Sequence, residues 1–113
     1  MSSPSRGEIW SADLNPTRGH EQAGKRPVLI ISDDRFNISK AELVIVIPLT
    51  RTTRIIPSQI IISPPEGSIK ETSAILCEAI RSIDKGRLED RWGEISLNTL
   101  SRVEDALKLL LKL

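Results

Sequence analysis

The chain has 113 residues, 39% of them hydrophobic, and a formal net charge of +1. That length sustains one core and one domain but not two, and the near-neutral balance excludes a protein that holds polyanions by bulk charge, so nucleic-acid contact would need a local basic patch. One cysteine, Cys77, and one histidine, His20, exclude an intrachain disulfide and a Cys/His zinc centre, and two tryptophans with one phenylalanine are too few for a broad platform on which bases stack.

Residues 1–5 read as a disordered tail, followed by a single domain over 6–113. The opening MSSPSRGEIW has no apolar core of a secretory signal, and no apolar run approaches the roughly 20 residues of a membrane span. With a lone cysteine, the expected location is the cytoplasm. Glu8 to Leu14, EIWSADL, sets Ile9, Ser11 and Asp13 against Trp10, Ala12 and Leu14, which predicts a first strand. Asn15-Pro16-Thr17 ends it with turn chemistry. After a loop over 15–25, Pro27 opens a second strand through Ser32, a position where proline removes no interior ladder bond. Asp33 to Ala41 is a polar connection with one helical turn.

Leu43 to Leu49, LVIVIPL, is β-branched and predicts a buried third strand, with Pro48 marking an edge or a stop. The basic stretch TRTTRIIP over 50–57 leads to a fourth strand, Ser58 to Ser63, and PPEGS over 64–68 is a turn. Ser73 to Asp84 reads as one continuous fifth strand, Lys85 to Leu88 as a connection, and Arg91 to Ile95 as a short sixth strand. Then the period changes. Leu97, Leu100, Val103, Leu107, Leu110 and Leu111 recur three and four apart, one face of a helix, and Ser96 is its N-cap. Five or six strands and one helix predict a small barrel with the helix packed on it. The apolar end of the helix suits a contact between two copies.

Three stretches carry polar chemistry. The loop GHEQAGKRPVLIIS, residues 19–32, crowds His20, Glu21, Gln22, Lys25 and Arg26 against the start of a strand. His20 titrates near neutrality and can give or take a proton, and the planar fork of Arg26 suits a phosphate. The same residues also suit a plain surface loop closed by a Glu21–Arg26 pair. Thr50-Arg51-Thr52-Thr53-Arg54 combines hydroxyls and guanidiniums just past a buried strand, an anion patch or a solvated loop. In SAILCEAIRSID, Glu78 and Arg81 interrupt an apolar strand. Three apart, they point oppositely in a regular strand, so a bulge is expected to bring them to one side, unless they form an internal ion pair. Neither common phosphate-binding glycine loop occurs, nor a paired-carboxylate motif for two metals.

RGEIW at 6–10, the G-x-E-Q-x-G-x-R-P pattern of the loop, IPLT ending at Thr50 and IRSIDKGRL at 80–88 follow one another in an order that resembles the MazF/PemK family of endoribonuclease toxins, over nearly all of residues 6–113. The resemblance implies a mainly β fold with α, an SH3-like small barrel of five to seven strands with a C-terminal helix. It also implies a homodimer, an antitoxin whose acidic disordered tail covers the active site, and sequence-specific cleavage of single-stranded RNA with no metal or cofactor.

One branch of the family relies on an arginine and a threonine, which are Arg26 and Thr50 here. A second relies on a histidine of the G-H-E-Q loop, here His20, with an Arg-x-Asp pair that this chain replaces by Leu76 and Glu78. Ala79 stands where the first branch commonly has an RNA-contacting glutamine. The resemblance thus nominates Arg26, Thr50, His20 and Glu78 for catalysis, and Glu21, Gln22, Lys25, Arg51, Thr52, Arg54 and Arg81 for substrate binding. The alternative is a toxin resembling CcdB, with the same barrel, that binds DNA gyrase and does no chemistry; its functional surface would be the C-terminal helix.

Overall fold

The apolar runs of the sequence become strands with both faces buried. The computed structural model describes residues 3–15 and 24–113. In chain order the elements are β1 (Glu8–Asp13), β2 (Lys25–Ile30), α1 (Asp34–Asn37), β3 (Leu43–Thr50), β4 (Gln59–Ile62), β5 (Ser73–Leu76), β6 (Arg81–Asp84), β7 (Leu88–Glu94) and α2 (Leu97–Leu111), with short 3₁₀ turns over 66–68, 77–79 and 85–87. All pairings are antiparallel. The seven strands form one sheet in the order β4-β5-β3-β2-β1-β7, with β6 also paired to β3. This is the expected mainly β architecture with a C-terminal helix. Among the described residues no helix is long and apolar enough to cross a membrane.

Alternation along the strands divides the apolar side chains between two cores. Ile9, Leu29, Ile31, Ile47 and Leu49 face one side, where Ile60, Ile62, Ile75 and the helix residues Val103 and Ala106 complete a core. Trp10, Val28, Ile30, Val44 and Val46 face the other, with Ala12, Leu14 and Ile83. A strand dry on both faces reads as an unbroken apolar run, which is why VLII and LVIVI stand out in the sequence.

The central strand β3 changes partner along its length. Leu43–Val46 pair with β6, and Leu49–Thr50 pair with β5. Between the two ladders, Ile47 and Pro48 have no partner on that flank, while Pro48 stays opposite Val28 of β2 on the other. Pro48 therefore marks neither an edge nor a stop: it sits in an interior strand where a missing N–H leaves no ladder bond unmade. Pro27 follows the same logic. The second strand begins two residues earlier than expected, at Lys25, and Pro27 lies opposite Ser11 just before the β2–β3 ladder starts at Val28.

The expected continuous strand Ser73–Asp84 is broken. β5 ends at Leu76, Cys77–Ala79 form a 3₁₀ turn, and β6 starts at Arg81. The expected bulge is thus a full turn, placed where β3 passes from one partner to the other. Within the stretch read as a tail, two residues are held. Pro4 is buried and its carbonyl accepts from Asn37 Nδ2 at 3.2 Å, and the Ser5 amide donates to Glu8 Oε1; Met1 and Ser2 lie outside the described residues.

Ser96 caps α2 as expected, its hydroxyl accepting from the Thr99 amide at 3.1 Å, and Glu66 accepts the Ser96 amide at 3.0 Å. The leucine stripe is only partly used. Leu100, Val103 and Leu107 pack on the sheet, Leu97 is 85% exposed, and Leu109 to Leu111 are exposed as well.

Glu8 fastens the start of the domain. Its carboxylate accepts from the Ser5 amide at 2.7 Å, from Trp10 Nε1 at 3.0 Å and from Arg91 Nε at 2.6 Å. Burial raises the pKa of Glu8, but these three donors and the charge of Arg91 outweigh it and leave the net value below that of an ordinary glutamate. A lowered folded-state pKa stabilises above the unfolded value of about 4.3 and is lost as pH falls through the folded one. Urea unfolding should therefore show stability declining as pH is lowered below about 4.3. Glu8→Gln should flatten that decline and cost about 1–2 kcal/mol at neutral pH; superimposable profiles would show that the clasp adds nothing.

Candidate active site

Two adjoining clefts open where β3 ends. The first, of ≈ 470 Å³, is lined by Lys25, Arg26 and Pro27 from β2, by Leu49 to Thr52, and by Ile69, Lys70, Glu71, Ser73 and Trp92. Arg26 lies opposite Ala12, ahead of the point where β2 and β3 begin to pair. Its Nη1 donates to the Leu49 carbonyl at 3.4 Å, a long bond that carries the guanidinium across to the end of β3. Arg26 is half-buried, and desolvation pulls its pKa down from the ordinary value. An arginine stays charged regardless, and a poorly solvated cation attracts an anion more strongly than an exposed one. Thr50 Oγ1 accepts the Thr52 amide at 3.2 Å, which orients the hydroxyl and leaves its hydrogen to donate elsewhere.

The second cleft, of ≈ 830 Å³, is lined by Pro48, Thr50, Thr52, Arg54, Gln59, Leu76, Glu78, Ala79, Ile80 and Arg81. Thr50 and Thr52 are the wall common to both clefts. The turn over 77–79 brings Glu78 and Arg81 to this one cavity, as the expected bulge was to do. They are not the ion pair that the sequence also allowed. Glu78 Oε2 accepts from Gln59 Nε2 at 3.1 Å, and Arg81 Nη1 is buried with no hydrogen-bond partner. Cys77 is fully buried, and burial, with the Glu78 charge adding to it, pushes its thiol pKa up to about 11. It is a packing residue and not a nucleophile.

Of the nominated residues, the structure therefore gathers Arg26, Thr50, Lys25, Arg51 and Thr52 at the first cleft, and Thr50, Thr52, Arg54, Glu78 and Arg81 at the second. His20, Glu21 and Gln22 lie outside the described residues. The two ends of their loop are tied together: the Leu14 amide donates to the Gly24 carbonyl and the Gly24 amide to Asn15 Oδ1, both at 3.0 Å. Arg87 Nη1 donates to the Asp13 carbonyl at 3.1 Å and also to the Asn15 carbonyl. Arg51 and Lys25 hold exposed pairs with Glu71 and Glu89, at 3.2 and 3.4 Å, which add little to stability. Sequence reasoning missed Arg87, Gln59, Lys70, Glu71 and Trp92. Only Arg87, inside IRSIDKGRL, stood in a stretch that had drawn notice.

A small antiparallel sheet with a C-terminal helix packed on it, and an arginine and a threonine brought together at one cleft, define a class, the PemK-like, MazF-like toxins of type II toxin-antitoxin systems, whose pattern matches residues 5–111. The chain belongs to this family. It is 35% identical to endoribonuclease MazF9 of Mycobacterium tuberculosis, with 96% of each chain covered. It is 36% identical to endoribonuclease EndoA of Bacillus subtilis, with 96% of this chain and 94% of the relative covered. Among solved structures it is similar to an endoribonuclease from a mycobacterial species in complex with its cognate antitoxin, at 27% identity and a TM-score of 0.81, covering 98% of this chain and 97% of the other.

Arg87 joins the β6–β7 turn to the root of the loop through two backbone carbonyls. Arg87→Ala should speed amide exchange at Leu14 and Gly24 by about tenfold or more, since bonds from a charged donor are the stronger kind. Unchanged exchange there would show that the loop root is held without it.

Proposed function

We propose that this chain, an endoribonuclease by its family and its curated relatives, cuts single-stranded RNA without a metal, using the 2′-hydroxyl of the RNA as nucleophile. The observation that carries the reading is the meeting of Arg26 and Thr50 at one cleft, from strands that are not yet paired at that level. In the reaction the 2′-oxygen bonds to phosphorus and the bond from phosphorus to the 5′-oxygen breaks. One proton leaves the 2′-oxygen and one joins the 5′-oxygen. The products are a 2′,3′-cyclic phosphate and a 5′-hydroxyl.

Arg26 stabilises the charge that builds on the pentavalent phosphorus, a preorganised cation being often the largest catalytic contribution. The Thr50 hydroxyl donates to the same phosphate. His20 carries out a proton transfer, a step usually worth ~10²–10⁴-fold. Glu78 lines the adjoining cleft and is bonded to Gln59, so we assign it to holding the nucleotide. Lys25, Arg51 and Arg54 hold flanking phosphates, with Arg81, Thr52, Glu21 and Gln22 contributing polar contacts to the strand.

The same surface accounts for the partners. A cognate antitoxin with an acidic disordered tail would lie along these cations and exclude RNA. The apolar groove between Ile56, Pro57, Ala106, Leu109 and Leu110 suits a second copy of the chain. A lone, buried cysteine fits the reducing cytoplasm.

Purified protein incubated with a labelled unstructured RNA in chelator should give discrete cuts; intact RNA would favour the gyrase-binding alternative. Arg26→Ala should keep its fold, by circular dichroism, and lose about 10²–10³-fold in cleavage rate. Wild-type cutting by that variant would show that Arg26 does not stabilise the phosphorane. A single 2′-deoxy nucleotide on the 5′ side of the scissile phosphate should abolish the cut, and a cut that persisted there would rule out the internal nucleophile.

A further inference from the structure

Two polar atoms are left buried and unpartnered among the described residues, Gln59 Oε1 and Arg81 Nη1. Both side chains line the second cleft. A buried acceptor and a buried donor without partners lower stability unless something else satisfies them. Because both side chains line one cavity, a small rotamer shift would bring the two atoms to a ligand that offers a donor to one and an acceptor to the other. The amide orientation of Gln59 is fixed by its neighbour. Its Nε2 donates to Glu78 Oε2 at 3.1 Å, and the reversed amide would set carbonyl oxygen against carboxylate. The cavity is thus lined by two side chains that carry acceptors, Gln59 and Glu78, and by one that carries donors, Arg81.

We propose that this second cleft is a guanine-reading subsite for the nucleotide next to the scissile phosphate. The inference rests on the ribonuclease reading and extends it to base choice. Uracil offers one ring N–H between two acceptors, and cytosine and adenine each offer one amino group with acceptors beside it. Guanine alone carries two adjacent donors, N1–H and the 2-amino group, next to an acceptor, O6. It places two donors toward Glu78 and Gln59 and its O6 toward Arg81. Thr50 and Thr52 wall both clefts, so a strand whose phosphate lies at Arg26 and Thr50 delivers its neighbouring base here. Base edges of unstacked single strands are the usual source of sequence choice in RNA recognition, and the scarcity of aromatic residues leaves hydrogen bonds as the means.

The test uses the full chain and short oligouridylates made uncuttable by 2′-fluoro sugars, with one guanine walked through each position. Fluorescence anisotropy should find a position at which guanine tightens binding by roughly tenfold or more over uracil, as expected for paired hydrogen bonds to one base. Inosine, which lacks the 2-amino donor, should lose most of that gain, and so should 2-aminopurine, which lacks O6 and N1–H. Gln59→Leu should narrow the gap between guanine and inosine, and Arg81→Lys the gap between guanine and 2-aminopurine.

No response to guanine at any position, or equal binding of guanine and inosine by the wild type, overturns the proposal, and neither result depends on a variant folding. Cleavage of ribose RNA with no guanine preference would sink the subsite and leave the nuclease standing. Guanine-selective binding with ribose RNA left intact would support the subsite and sink the nuclease reading instead.

Discussion

The change of partner along β3, at Ile47 and Pro48, is the constraint on which the rest of the molecule depends. A strand paired on both flanks throughout would give a closed, featureless wall. Here the ladder to β6 stops at Val46 and the ladder to β5 starts at Leu49. β5 and β6 run in the same direction along that flank, and the chain between them, six positions from Ile75 to Arg81 against three from Leu49 to Val46, loops out over Cys77–Ala79. That turn lifts Glu78 out of the sheet, brings Arg81 to the same cavity and leaves Pro48 at its edge. Proline suits the place because it has no N–H to leave unpaired. The cleft follows from backbone hydrogen bonding, before any polar side chain is considered.

Charge is arranged around that opening with economy. The whole chain is nearly neutral, yet Lys25, Arg26, Arg51, Arg54, Lys70 and Arg81 line the two clefts, where Glu71 and Glu78 are the carboxylates among them. The half-buried Arg26 differs from the exposed cations. Its burial lowers its pKa by desolvation, and it is anchored to the end of β3. A guanidinium held by its backbone neighbour needs little reorganisation to meet a phosphate, whereas an exposed lysine must first be ordered.

Much of this was legible in the sequence. Five of the seven strands were found to within about three residues, because two-sided burial turns strands into apolar runs that turn residues punctuate. Ser96 announced the helix. The other two, joined in the long fifth strand, failed for a definite reason. Cys77, Glu78 and Ala79 carry no turn chemistry, and the break is imposed by the two separate partners of β3, a tertiary effect that local pattern does not record. The leucine stripe of α2 overstated its contact with the sheet, since periodicity shows a face but not how much of it is covered. Arg26 and Thr50 stand 24 positions apart, and no spacing rule joins them; the motif resemblance did. Gln59 was hidden because a polar residue beginning a strand is ordinary until its buried oxygen is found without a partner.

Thr50 and Thr52 form a party wall between two compartments. Gln59 on β4, Glu78 and Ala79 of the turn, and Arg81 on β6 line the second compartment and not the first. If the second compartment reads bases and the first breaks the backbone, as proposed, then changes at Gln59, Glu78 or Arg81 alter the choice of word without touching Arg26.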